Sequence, residues 1–279
     1  MKKILVPTNF SETANNALNY ATALASLVDA TIYLFHTYHV PVSSVDLPID
    51  VMGEDFQLIS KEKQKQIEET ITFFKEKHPF VAIKPILKEG FMADNIKEVI
   101  EEELIDLIIM GTEGAEGYAE VLLGTNAGAL IGKINSPLII VPDSYHYKPI
   151  QKIVYATDFL QSDIQNINKA AEFAKLFQAE LQVIHVATLE DKAQEQRDFR
   201  SFVIHGNSKV HYNNVSYRFI DNETVVDAIH NLTKDENTDM FVMVTHKRSF
   251  IQRILHPSLS KKIAYHTTIP MLVLMGNQN

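Results

Sequence analysis

Residues 3–10 of the chain, Lys3-Ile4-Leu5-Val6-Pro7-Thr8-Asn9-Phe10, recur as Lys152-Ile153-Val154-Tyr155-Ala156-Thr157-Asp158-Phe159. The same separation of 149 positions matches His36 to His185. Further along, a separation of 133 positions matches the run 106–110 to 239–243, so the second copy is 16 residues shorter in its middle. A repeat on this scale indicates a tandem duplication. The repeat and the length of 279 residues therefore predict two domains, 1–143 and 150–279.

Each copy alternates short apolar runs with segments of helical periodicity. Ile4–Thr8 is too short for a helix, whereas apolar residues recur at helical spacing over 14–28. Short apolar strands that alternate with helices favour parallel pairing, with helices on both faces of the sheet. Each copy is thus predicted to be a doubly wound α/β domain with five parallel strands. The first copy predicts strands at 4–8, 31–37, 81–87, 107–110 and 138–141 and helices at 14–28, 57–77, 94–103 and 126–134. The second predicts strands near 152–156, 181–186, 214–220, 240–244 and 271–274 and helices near 163–177, 190–206, 224–233 and 258–266.

Composition excludes several classes of protein. The chain has no cysteine, which excludes disulfides, thiolate metal sites and cysteine nucleophiles. Its net charge of −9 argues against a general nucleic-acid binder. All of that excess lies in residues 1–149, with 12 basic and 21 acidic residues, against 14 of each in 150–279. No apolar run approaches the ~18 residues of a membrane span, and no signal peptide is recognisable, so we expect a soluble, cytoplasmic protein without membrane partners.

A glycine-rich loop follows the fourth predicted strand. Gly111-Thr112-Glu113-Gly114 is followed by nine residues and then by Gly124-Thr125, which gives the pattern G-x-x-G-x9-G-[ST]. Glycines let the backbone approach a phosphate closely, and unpaired N–H groups at a helix start can donate to it. The alternative is that these glycines only turn the chain after a strand.

Three segments together resemble the universal stress protein family: this loop, the opening I-L-V-P-T-x-F-S-E and the ending S-P-L-I-I-V-P. The resemblance covers nearly the whole chain, in two copies. It implies five-stranded, Rossmann-like domains of the adenine nucleotide alpha hydrolase-like type, and some members bind ATP through this loop. A triphosphate there would rely on backbone donors and Mg²⁺. The nucleotide-binding residues that the resemblance implies are Pro7, Thr8, Asn9, Met110, Gly111, Thr112, Gly114, Gly124, Thr125 and Asn126.

Both copies depart from the family pattern, in opposite ways. The position after Thr8 normally carries an aspartate near the adenosine, and here it is Asn9. The second copy has that aspartate, Asp158, but the positions of its three loop glycines hold Val244, Lys247 and Pro257, followed by Ser258. Side chains and a missing N–H hinder phosphate binding. We expect the first copy alone to bind a nucleotide.

The two equivalent loops also differ in charge. The first carries Glu113, Glu116 and Glu120 and no Lys or Arg, whereas the second carries His246, Lys247, Arg248, Arg253 and His256. The simpler interpretation is two solvated loops. The alternative is that the loops attract each other, or that the basic loop binds an acidic partner or a small anion.

His36 and His185 end the second strand of their copies, which favours hydrogen-bonded strand-end histidines over a metal site. No Ser-His-Asp arrangement, H-E-x-x-H or P-loop lysine is present in the sequence. We therefore assign neither catalytic nor metal-binding residues.

Three functions remain open. The first is a non-catalytic stress-response protein that binds ATP at the first domain, and the second is an interaction protein in which both nucleotide sites are vestigial. A weak ATP-hydrolysing enzyme ranks last, since no general base or arginine clamp supports it. Family members usually dimerise through the fifth strand, so Leu138–Val141 is expected to meet Met271–Leu274 in a pseudo-dimer within one chain. A monomeric pseudo-dimer and a homodimer both stay open, and the sequence names no protein partner.

Overall fold

The computed structural model describes residues 1–39, 49–112, 125–131, 133–159, 163–187, 192–221, 228, 231–232, 237–245 and 268–275. For residues 49–56, 125–126 and 245 it describes the backbone alone. The chain divides into two compact units, Met1–Gly111 and Thr112–Asn279. Each unit is an α/β structure built on a mostly parallel sheet.

The first unit alternates strands and helices, and its strands lie in the order β3-β2-β1-β4 with the described pairs all parallel. Its elements are β1 (Lys3–Pro7), α1 (Glu12–Val28), β2 (Thr31–Tyr38), α2 (Ile49–Lys77), β3 (Ile83–Glu89), α3 (Met92–Glu103) and β4 (Leu107–Thr112). The winding direction changes at β1, which lies between β2 and β4. In open α/β sheets, ligands bind beyond the carboxyl ends of the strands at such a point.

The second unit has the strand order β5-β10-β9-β6-β7-β8. Its elements are α4 (Thr125–Leu130), β5 (Leu138–Pro142), β6 (Lys152–Ala156), α5 (Asp163–Phe177), β7 (Glu180–Val186), α6 (Lys192–Gly206), β8 (Val215–Ile220), β9 (Met240–Thr245) and β10 (Met271–Met275). The described pairs are parallel except β5 with β10. The duplicated strand β6 lies between β7 and β9, as β1 lies between β2 and β4.

Apolar strands form the core because they are covered on both faces. Ile4, Leu5 and Val6 are fully buried, and α1 packs on β1 and β2. The helix begins where the Ser11 hydroxyl accepts a hydrogen bond from the Ala14 N–H, the usual role of an N-cap serine. Strand β6 and helix α5 also bury their inward apolar residues.

The predicted contact between the two fifth strands is present. β5 and β10 pair antiparallel within the second unit, with Leu138 opposite Val273 and Ile140 opposite Met271. Main-chain pairing of this kind covers two strand edges that would otherwise be open. The pseudo-dimer itself stays a prediction.

Several element bounds differ from the sequence prediction. Helix α2 begins at Ile49 rather than near position 57, directly after Pro48, with acidic residues in its first turns where the helix dipole favours them. Strand β3 extends to Glu89 because its backbone pairing with β2 continues beyond the last apolar residue. Helix α4 ends at Leu130. The helices predicted at 224–233 and 258–266 lie outside the described residues, apart from helical positions at 228 and 231–232.

Candidate functional site

The loop after β1 is held by its own hydrogen bonds. The Thr8 N–H donates to the Phe35 carbonyl at 2.8 Å, and the Thr8 hydroxyl accepts from the Phe10 N–H at 2.9 Å. The Asn9 Oδ1 accepts from the Ser11 N–H at 3.1 Å. Phe10 adopts a φ of 66°, which side chains rarely allow. This loop therefore presents the exposed Asn9 amide from a fixed backbone.

His36 lies beside this loop at the end of β2. Its Nδ1 is 2.7 Å from the Thr8 carbonyl, and its ring lies 4.5 Å from that of Phe10. Burial lowers the pKa of His36, and the charge of Lys63 lowers it further. A carbonyl can only accept, so Nδ1 carries the proton and Nε2 is a bare acceptor. That Nε2 atom is buried and has no hydrogen-bond partner within the described part of the chain.

Gly111, at the end of β4, is constrained by α1 rather than by a turn. A Cβ built on Gly111 would lie 2.4 Å from the carbonyl oxygen of Thr13 and 2.8 Å from its methyl carbon. The backbone of β4 thus approaches the first turn of α1 more closely than any side chain permits. This contact is a structural reason for the glycine that the sequence interpretation did not include.

The sheet brings part of the implied site together. Pro7, Thr8 and Asn9 follow β1, while Met110 and Gly111 end β4, and these two strands are parallel neighbours. Thr112 is the last residue of β4, directly after Gly111. Of the other implied residues, Thr125 and Asn126 belong to the second unit, and Gly114 and Gly124 lie outside the described residues.

The second copy builds the same loop after β6. The Thr157 N–H donates to the Ile184 carbonyl at 2.9 Å, and the Thr157 hydroxyl accepts from the Phe159 N–H at 2.9 Å. Phe159 has a φ of 46°, and the His185 Nδ1 is 2.8 Å from the Thr157 carbonyl. The repeat found in the sequence is therefore also a repeat of hydrogen bonds. The two histidines are strand-end residues bound to a backbone carbonyl, as the simpler interpretation expected.

A buried carboxylate distinguishes the second copy below this loop. Asp163 is 3% exposed and accepts from the Thr157 hydroxyl at 2.7 Å, the Asp158 N–H at 3.2 Å and the Tyr155 hydroxyl at 3.3 Å. Burial raises the pKa of Tyr155 well above its usual value, and the charge of Asp163 adds to the rise. The matching positions in the first copy hold apolar Val6 and Ala14.

A second buried carboxylate completes the hydrogen bonds of His185. The Glu195 Oε1 atom is 3.0 Å from the His185 Nε2, and both side chains are about 5% exposed or less. Rings of Phe159 and Phe219 lie 4.2 and 5.7 Å from the imidazole, and Phe199 lies 6.0 Å from it. The histidine environment of the second copy is thus occupied by the protein's own side chains. The sequence did not indicate roles for Glu195 and Asp163. A comparison of the acidic residues of the two copies, as candidate partners for His36 and His185, could have identified Glu195.

Two features are absent from the described residues. No group of three or more His, Asp or Glu side chains there is placed to hold a metal ion. Within the same residues, no helix is long and apolar enough to cross a membrane.

Comparison with known proteins identifies the family. The model of the universal stress protein family matches residues 1–142 and 149–274. The chain belongs to the universal stress protein family. Two curated relatives from Methanocaldococcus jannaschii each align with 50% of this chain: Universal stress protein MJ0577, 29% identical with 94% of its length covered, and Universal stress protein MJ0531, 33% identical with 81% covered. A solved universal stress protein from Archaeoglobus fulgidus covers 99% of this chain at 20% identity with a TM-score of 0.66, and 97% of its own length is covered.

Family membership accounts for the α/β fold and for the duplication. The two matched segments correspond to the two repeats, so this member carries the family domain twice. The predicted tandem arrangement and fold class are confirmed. The hydrogen bonds described above show where the two family domains of this chain have diverged.

The contact of Gly111 with α1 predicts the effect of adding one methyl group. In this universal stress protein, Gly111→Ala should lower the free energy of unfolding by about 1–3 kcal/mol, because the Thr13 backbone must move. Gly128→Ala is the matched control, since Gly128 is exposed in α4 and alanine favours a helix by up to ~1 kcal/mol. Urea unfolding followed by circular dichroism measures both. Equal stability of the Gly111→Ala variant and the parent would contradict the contact.

The buried pair of His185 and Glu195 also predicts a loss of stability. Glu195→Ala should lower the free energy of unfolding by about 1–3 kcal/mol, because it leaves the buried His185 Nε2 without its hydrogen-bond partner. Glu172→Ala is the control, since Glu172 is exposed on α5 and should change stability little. The same unfolding experiment compares the two variants. Similar small losses in both would show that the pair contributes nothing to the fold.

Proposed function

We propose that this protein is a non-catalytic stress-response module that binds one ATP in its first copy, while the second copy has a structural role. The observation that carries the proposal is the contrast between the two histidines. The His185 Nε2 contacts Glu195, whereas the His36 Nε2 has no partner in the described residues. The glycine pattern occurs in the same copy as the unpartnered histidine. Members of the family include proteins that bind ATP or cAMP.

One described residue of the first copy, Asn9, suits a nucleotide. The Asn9 oxygen is held by the Ser11 N–H, which leaves the exposed amide N–H₂ to donate to a ligand. Gly111 ends the neighbouring strand, but the space that its side chain would take is filled by Thr13. In the proposed complex, Asn9 lies by the ribose, and the phosphates bind the glycine pattern of the sequence that begins at Gly111. Mg²⁺ would offset part of the phosphate charge beside the glutamates of the loop.

A second candidate is an interaction protein in which both nucleotide sites are vestigial. The charge of the glycine loop favours it, since Glu113, Glu116 and Glu120 accompany no Lys or Arg. An anionic ligand meets repulsion there unless backbone donors and a cation outweigh it. Protein that binds no ATP at millimolar concentration in the presence of Mg²⁺ would favour this second candidate.

The proposal predicts that binding depends on one loop and not on the other. Gly124→Val should abolish ATP binding measured by calorimetry, because the new side chain occupies the space assigned to phosphate. Gly114→Val should act in the same way. Lys247→Ala, in the equivalent loop of the second copy, should leave the affinity nearly unchanged. The opposite ranking would place the nucleotide in the second copy.

The residue that departs from the family pattern gives a further prediction. Asn9→Asp should tighten ATP binding by about two- to tenfold, since a charged acceptor then replaces the amide donor before the ribose hydroxyls, and a hydrogen bond to a charged group exceeds the ~0.5–1.5 kcal/mol of a neutral one. The gain should grow with salt, which screens the added charge from the phosphates. Asn19→Asp adds the same charge at an exposed site on α1 and should not tighten binding. Weaker binding by Asn9→Asp at every salt concentration would remove Asn9 from the ribose-facing role.

A further inference from the structure

Two aromatic side chains lie at the same edge of the first unit as the proposed nucleotide site. His39 follows the carboxyl end of β2, and Phe91 follows the carboxyl end of β3. Their rings are 5.1 Å apart in an edge-to-face arrangement at 62°. Because β3, β2 and β1 are successive parallel strands spaced ~4.8 Å apart, the end of β3 lies roughly 10 Å from the end of β1, where Asn9 lies.

Phe91 is exposed but its backbone is fixed. The ring is 72% exposed, which is unusual for so large an apolar side chain. The preceding Gly90 has a φ of 110°, and its N–H donates to the Tyr38 carbonyl at 3.0 Å. The buried Asn95 Nδ2 donates to the Glu89 carbonyl at 2.8 Å and holds the same turn from α3.

Phe91 also occupies a position at which its side chain makes no hydrogen bond to the start of the helix. It is the N-cap of α3, and no side-chain hydrogen bond caps that helix. Serine, threonine, aspartate or asparagine at an N-cap typically contributes about 1 kcal/mol that phenylalanine cannot supply. A residue that departs from such a local preference, with no stabilising contact in return, is a candidate for a functional role.

We infer that Phe91, with His39 beside it, is a stacking platform for the base of the nucleotide in the first copy, an inference that rests on the proposed function. With phosphates at the β4 end and the ribose at Asn9, the third part of the ligand extends away from β4. It therefore lies over the ends of β2 and β3, where the Phe91 ring is exposed. Every base has a π face, and an aromatic side chain binds that face by stacking.

The aromatic pair has no aromatic counterpart at the matching sequence positions of the second copy. The strand registers place Leu87 opposite His36 and Phe219 opposite His185, so position 91 corresponds to position 223. Position 223 is Glu223, and the repeat of 149 matches His39 to Thr188. Neither residue has an aromatic ring. The aromatic pair thus belongs to the same copy as the glycine pattern.

Affinity measurements separate the base from the phosphates. Calorimetry should show that Phe91→Ala weakens ATP binding by about five- to 100-fold, corresponding to ~1–3 kcal/mol, and that Phe91→Tyr largely preserves it. Binding of inorganic tripolyphosphate, which has no base, should be equal in Phe91→Ala and the parent. Phe80→Ala is the matched control, since Phe80 is 99% exposed but lies before β3, at the opposite edge of the sheet. Its ATP affinity should equal that of the parent.

A fluorescence experiment detects the stacking directly. The chain has no tryptophan, so Phe91→Trp introduces a single indole whose emission ATP should quench, whereas Phe80→Trp should not respond. If the parent binds ATP but Phe91→Ala binds it equally well and Phe91→Trp is not quenched, the platform is wrong and the proposed function stands. If the parent binds no ATP, the proposed function fails and the platform with it.

Discussion

A hydrogen bond from a strand-end histidine to a threonine carbonyl sets the geometry on which both copies depend. It joins the end of the second strand of each copy to the loop after the first, at 2.7 Å between His36 and Thr8 and 2.8 Å between His185 and Thr157. The threonine N–H donates to a carbonyl of the second strand, and the threonine hydroxyl accepts from the N–H of a phenylalanine that has a positive φ before the next helix. The same loop therefore follows the first strand of each copy.

The two copies differ in the hydrogen-bond partner of the histidine Nε2 atom. In the second copy Glu195 supplies a buried partner, and aromatic rings enclose the pair. Removing either partner of such a buried pair lowers the free energy of unfolding, so the pair stabilises the structure of the second copy. In the first copy Lys63 adds positive charge near His36, and the neutral imidazole keeps a bare acceptor. In the proposed function, the second copy has a structural role and the first copy carries the ligand site.

The repeat made the fold predictable, because two copies of one pattern constrain the same strands independently and the buried strands are plain apolar runs. The sequence could not reveal which acidic residues are buried. Glu195 and Asp163 lie in polar helical stretches where an exposed carboxylate is the ordinary expectation. Gly111 was predicted from the family pattern as a phosphate residue, yet a contact with Thr13, distant in sequence, also requires the glycine. From the sequence alone, a phenylalanine such as Phe91 is expected to be buried in the core, because its actual exposure depends on tertiary packing.

The central claim is that one copy of this universal stress protein takes up a nucleotide and the other does not. Hydrogen–deuterium exchange with and without ATP and Mg²⁺ tests it most directly, because one experiment reports on both copies. The account predicts slower exchange in the backbone around 8–12 and 110–112 and unchanged exchange around 157–159 and 240–245. Slower exchange in the second pair of segments, alone or together with the first, would contradict it.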